Sequence, residues 1–144
     1  MIENDTIKLL RECDAGVKMG ISSISDVIDR VKSDDLKSVL NSNKLEHEKL
    51  ESQIQQKLIE YKDDGKDPEP MAKGMSWLKT NFMIGMNHSD ETIADLLTDG
   101  CNMGVKSLNS YLNKYKAADE HTKDITKKLI NLEERLAVDM RDYL

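Results

Sequence analysis

The stretch Cys13-Asp-Ala-Gly-Val-Lys-Met-Gly-Ile-Ser-Ser-Ile24 returns 88 residues later as Cys101-Asn-Met-Gly-Val-Lys-Ser-Leu-Asn-Ser-Tyr-Leu112. Five of the twelve positions are identical: Cys, Gly, Val, Lys and Ser. A repeat so widely spaced in 144 residues implies one fold unit used twice, not an array of short repeats.

Outward from the first copy, Leu10, Cys13, Val17, Gly20, Ile24, Val27 and Val31 step by three and four. That spacing predicts a helix from about Asp5 to Lys32 with one face toward a core. Ser33-Asp-Asp35 then supplies an N-cap and acids for the positive end of a second helix. Its inner face reads Leu36, Leu40, Asn43, His47, Leu50, Ile54 and Tyr61, and Asp63-Asp-Gly-Lys-Asp-Pro-Glu-Pro70 ends it. Around the second copy, Ser89-Asp-Glu91 opens a third helix with Ile93, Leu97, Cys101, Gly104, Leu108, Tyr111 and Tyr115 inward. Asp119 caps a fourth, with Thr122, Ile125, Leu129, Leu132, Leu136 and Met140 inward.

The links at 32–34 and 116–120 are short, so each helix pair is expected to be an antiparallel hairpin. With an offset of 89, Leu36 falls on Ile125, Leu40 on Leu129, Asn43 on Leu132 and His47 on Leu136, which extends the duplication to whole hairpins. The expectation is one all-α domain over 1–144: hairpin 5–62, crossover 63–88, hairpin 89–144. Two hairpins joined by a long crossover make the ferritin-like form of the antiparallel four-helix bundle. Within the crossover, Met75, Leu78 and Phe82 lie at helical spacing, which predicts a short amphipathic helix over 72–84.

Composition agrees with a helical chain and excludes several functions. Aromatics are 4% of residues and there are only two prolines. No alternation of β-branched residues suggests a sheet. The net charge of −6 divides into −5 over residues 1–72 and −1 over 73–144, with no basic stripe. Nucleic-acid binding therefore lacks its electrostatic footprint. No charged-then-apolar leader and no apolar run of about 18 residues occurs, so the expectation is a cytoplasmic protein with no membrane association. Two cysteines without an export signal are expected to stay reduced. No Ser or Cys has a base positioned by spacing, and there is no Gly-rich phosphate loop after a strand.

The chain resembles a bacterial domain-of-unknown-function family within the ferritin-like superfamily. The likeness rests on Leu10-Arg-Glu-Cys-Asp-Ala-Gly16, on Asp34-Asp-Leu-Lys37 at the start of the second helix, and on Gly74-Met-Ser-Trp77 in the crossover. Asp99-Gly-Cys-Asn-Met-Gly104 adds a second glycine-containing copy on the third helix. The resemblance implies a four-helix bundle and no established activity. The wider superfamily includes di-iron and di-manganese proteins, whose site takes a Glu from each of two helices and a Glu-x-x-His from each of the other two. The matching windows are Lys44-Leu-Glu-His47 and Glu133-Glu-Arg-Leu136, one lacking the glutamate and the other the histidine. Where the first and third helices should carry carboxylates, the seam offers Met19, Gly20, Met103 and Gly104.

These residues support two functional readings. The first is a non-catalytic ferritin-like bundle, a binding or assembly module with a degenerate di-iron site and no cofactor. His47 is then a buried histidine bonded to Glu133 or Glu134 across the bundle. The alternative is a metal-binding protein or metal-dependent oxidoreductase holding iron, manganese or zinc at His47 and Glu133, with Glu46 or Glu134. Gly16, Gly20, Gly100 and Gly104 suggest close approach of the first and third helices, or room for a neighbour such as His47. Cys13 and Cys101 should lie at different heights, too far apart for a disulfide. His88 and His121 flank helix starts and are expected on the surface. The crossover gathers Met71, Met75, Met83 and Met86 with Trp77 and Phe82. They either cover the bundle or form a methionine-rich surface for a protein partner or a homodimer.

Overall fold

Four helices carry the four apolar seams. A computed structural model describes residues 4–68 and 89–144. In it α1 runs Asn4–Val27, α2 Asp34–Glu60, α3 Asp90–Lys114 and α4 Glu120–Met140, with a 3₁₀ turn at Ile28–Arg30 and another at Arg141–Tyr143. No strand occurs among the described residues. The first helix is shorter than its apolar pattern suggests, because the chain tightens into the 3₁₀ turn before Val31 becomes extended.

The helix starts follow cap chemistry. Ser33 Oγ accepts from Leu36 N–H, Ser89 Oγ from Thr92 N–H, and Asp119 Oδ1 from Thr122 N–H. Each cap satisfies a backbone donor that the first helical turn leaves free. Asp90 does a second job, its carboxylate accepting from the backbone N–H groups of Lys32 and Ser33 at 2.9 Å each. The α1–α2 turn is thereby tied to the start of α3.

Contacts between helices set their directions. Arg11 meets Asp63, and Gln55 meets Asp14, so α1 and α2 are antiparallel. Lys57 meets Asp119 while Asn43 meets Leu132, so α2 and α4 are antiparallel too. Cys13 meets Thr126, and Gly16 faces Leu129, so α1 and α4 run the same way.

The core falls into two apolar clusters. One gathers Ile24, Val27, Leu36, Leu40, Ile93, Leu97 and Met140 from around the α1–α2 turn, the start of α3 and the end of α4. The other gathers Leu10, Cys13, Val17, Ile54, Leu58, Leu108 and Leu129 from the opposite end. Chain direction follows: α2 ends in the second cluster and α3 begins in the first. No described helix is long and apolar enough to cross a membrane.

Candidate functional site

Between the two clusters, every helix places something other than a large apolar side chain. Gly20 does so on α1, Asn43 and His47 on α2, Gly104 on α3 and Glu133 on α4. His47 is fully buried and Glu133 is 8% exposed. His47 Nε2 lies 2.7 Å from Glu133 Oε1, and Nδ1 lies 3.0 Å from the Asn43 carbonyl oxygen. The Asn43 carbonyl only accepts, so Nδ1 must carry a hydrogen. The Nε2–Oε1 contact then holds one proton, making the pair imidazolium–carboxylate or imidazole–carboxylic acid, neutral in total either way. Asn43 Nδ2 donates to the Leu132 carbonyl at 3.4 Å, while its Oδ1 is buried without a partner among the described residues.

Glycine makes this pair possible. A Cβ on Gly20 would stand 2.5 Å from His47 Nε2 and 3.3 Å from Glu133 Oε1, so only hydrogen leaves room for the ring. At Gly104 a Cβ would stand 3.6 Å from Glu133 Oε2, in ordinary contact. Gly20 therefore makes room for the imidazole, and Gly104 stands against the Glu133 carboxylate. A Cβ on Gly16 would lie 3.4 Å from Leu129 and 3.9 Å from Leu108 of α3, and between α1 and α3 a groove of about 360 Å³ opens. Its lining is mostly apolar, with Ala15, Ile24, Leu97, Leu108, Leu129 and Leu136, and also includes Glu133, Glu12 and Pro68. Met19 and Met103 also border it, although Met103 is 53% exposed and so belongs to the rim, not to a buried seam.

A dinuclear metal set does not fit these residues. Its one histidine and one glutamate are bonded directly to each other, and the space beside Gly20 is filled by the imidazole. Glu46 is exposed and lies 3.6 Å from Lys49, and Glu134 is exposed as well. Neither joins His47 and Glu133. No group of three or more His, Cys, Asp or Glu suited to a metal ion occurs among the described residues.

Two buried polar sites were not legible in the sequence. Asp14, fully buried, accepts from Gln55 Nε2 at 2.9 Å, Lys18 Nζ at 2.9 Å and the Lys66 backbone N–H at 2.9 Å. Beside it, burial and then the Asp14 carboxylate push Glu51 up to about 7. Glu51 Oε2 is buried without a hydrogen-bond partner among the described residues, which disfavours a charge there. Gly65, at φ 79°, bends the chain over Asp14, so a larger residue there would be strained as well as crowded. At the same end of the bundle, buried Lys57 donates to Asp119 Oδ2 at 2.6 Å and to Thr122 Oγ1 at 3.0 Å, and Tyr61 OH donates to the same Asp119 oxygen. Burial alone would raise the Asp119 carboxyl, but Lys57, Thr122 and Tyr61 together hold it well below the usual carboxylate range.

Both cysteines are free and buried, Cys13 in one apolar cluster and Cys101 in the other, as their heights along the helices predicted. Cys13 touches Thr126 Oγ1 at 3.1 Å. Burial pushes its thiol up to about 12 and raises that of Cys101, beside Glu133, still further. His121 is exposed. His88, the amphipathic stretch 72–84 and the methionine-rich group of Met71, Met75, Trp77, Phe82, Met83 and Met86 lie outside the described residues. No protein-family profile, no curated protein and no solved structure matches the chain.

Proposed function

We propose that the chain is a non-catalytic binding module, a ferritin-like bundle without the di-metal centre, whose ligand site is the groove between α1 and α3. The observation that carries this reading is the direct 2.7 Å bond between His47 Nε2 and Glu133 Oε1. A catalytic metal needs its ligands splayed around an open coordination position. Here the two best donors are spent on each other, and the volume beside them opens into an apolar-walled groove. The ferritin-like layout is supported by helix direction, since α2 ends and α3 begins at opposite ends of the bundle. Duplication is supported by the Asn43–Leu132 bond, whose partners are 89 residues apart, the offset that aligns the two hairpins. Residues near a two-fold axis meet their own counterparts in this way.

Elemental analysis of protein purified without chelators tests the reading. The expected result is iron, manganese and zinc far below one equivalent, unchanged in His47→Ala. Near-stoichiometric metal that disappears in His47→Ala would overturn it. That result would restore the metal-dependent oxidoreductase, with Glu46 or Glu134 turning inward to complete the ligand set.

A further inference from the structure

We propose that the groove between α1 and α3 binds an uncharged, mostly apolar molecule carrying one hydrogen-bond donor, an alkanol or a phenol, with that donor on Glu133 Oε2. The inference rests on the binding-module reading and supplies the ligand chemistry that reading leaves open.

The first part of the argument is proton counting. The pair holds one hydrogen on Nδ1, fixed by the Asn43 carbonyl, and one in the 2.7 Å contact between Nε2 and Oε1. If the shared proton sits on nitrogen, Oε2 is a carboxylate oxygen. If it sits on Oε1, Oε2 is the carbonyl oxygen of a carboxylic acid. In both forms Oε2 accepts and does not donate. The face toward Gly104 is thus an acceptor whichever way the proton lies, and the glycine leaves room in front of it.

The second part is charge. The pair is neutral in total, so an ammonium group against Oε2 would leave an unbalanced positive charge among Ala15, Ile24, Leu97 and Leu108. A carboxylate or phosphate would bring acceptor against acceptor. A hydroxyl donates one hydrogen and adds no charge. Beside Glu133 on the facing helix stands the Cys101 thiol, which burial keeps protonated. A thiol is a weak donor, readily displaced by a hydroxyl. Ser107 and Tyr111 also line the groove, and Glu12, which lines it from α1, is paired with Lys66. The third part is size: about 360 Å³ lies at the small end of ligand pockets, which run from about 300 to 1,000 Å³.

The test is calorimetric titration of the full chain with four probes of matched length: 1-octanol, octylammonium, octanoate and octyl methyl ether. The expected result is one-to-one binding of octanol, at least about tenfold tighter than each of the others, the value of one hydrogen bond of roughly 1.4 kcal/mol. Gly104→Leu should abolish octanol binding by filling the groove while the His47–Glu133 bond stays intact. Replacing the pair together, His47→Leu with Glu133→Leu, should erase the preference of octanol over the ether in a chain that still melts cooperatively. Preference for octylammonium or octanoate, or no binding of any probe, overturns the ligand assignment. Stoichiometric metal at His47 overturns the binding-module reading beneath it, so the two failures are distinguishable.

Discussion

His47 occupies the space that a side chain on Gly20 would need, its Nε2 only 2.5 Å from where that Cβ would be. The two residues lie on neighbouring helices and were settled together. In an open helix Gly→Ala stabilises by about 1 kcal/mol. Here the ring is held at both nitrogens and cannot swing away. Gly20→Ala should therefore destabilise by about 1–3 kcal/mol, the cost of overpacking. In a His47→Ala background the same change should turn neutral or stabilising. Urea denaturation of the four proteins gives the answer, and a destabilisation that persists without the imidazole would contradict the contact.

Glu51 predicts a dependence on pH with a definite sign. Its ordinary value is 4.5 and its folded value is about 7. Between those values the folded chain keeps a proton that the unfolded chain has released, so this group favours folding most below about pH 4.5. That contribution declines as pH rises and is gone above about 7. Glu51→Gln should raise the melting temperature at pH 8 and leave it nearly unchanged near pH 4.5. The half-exposed position limits the gain through solvent screening. A gain confined to acid pH would exclude a raised Glu51.

Asp119 works in the opposite direction. It caps α4 and neutralises buried Lys57, and its carboxyl is held low. Its contribution is present above the ordinary carboxylate range and is lost as pH falls through the folded value. Asp119→Ala should cost about 1 kcal/mol for the cap and a further 1–3 kcal/mol for leaving Lys57 without its partner. Asp119→Ala combined with Lys57→Met should recover part of the loss. Thermal melts at pH 7 would decide, and equal losses in the single and double variants would mean that the ion pair contributes nothing.

Both thiols should be silent to alkylation in the folded protein at pH 8. Burial pushes Cys13 up to about 12 and raises Cys101, so neither offers a thiolate. Mass spectrometry should find no adduct under native conditions and two after guanidinium. Labelling of Cys101 alone in the native state would show the groove opening as far as its wall.

What could be read from the chain was its periodicity. The four inner faces, from Leu10 through Met140, and the caps Ser33, Ser89 and Asp119 are local patterns that the structure reproduces. His47 also stood out, because an imidazole at an apolar step has few ways to be satisfied. Asp14 and Lys57 did not. Asp14 takes its donors from Lys18, Gln55 and Lys66, and Lys57 finds Asp119 62 residues further on. Lys18 is one helical turn from Asp14, a neighbour that spacing does anticipate, but no rule on a single helix anticipates Gln55, Lys66 or the Lys57–Asp119 pair. The glycines left two uses open, close approach of helices or room for a neighbour such as His47, and at Gly20 the imidazole takes the space.

The polar band between the two apolar clusters penalises any change in the longitudinal register of α2 against α4. Leu, Ile and Val on either side would tolerate a slide of α2 against α4 by one turn, about 5.4 Å, by exchanging one aliphatic contact for another. His47 and Glu133 would not: the slide would leave an imidazole and a carboxylate buried without each other, a penalty of several kcal/mol. The interaction that weakens this chain as a metal site thus acts with the Lys57–Asp119 contact to hold one alignment of α2 against α4.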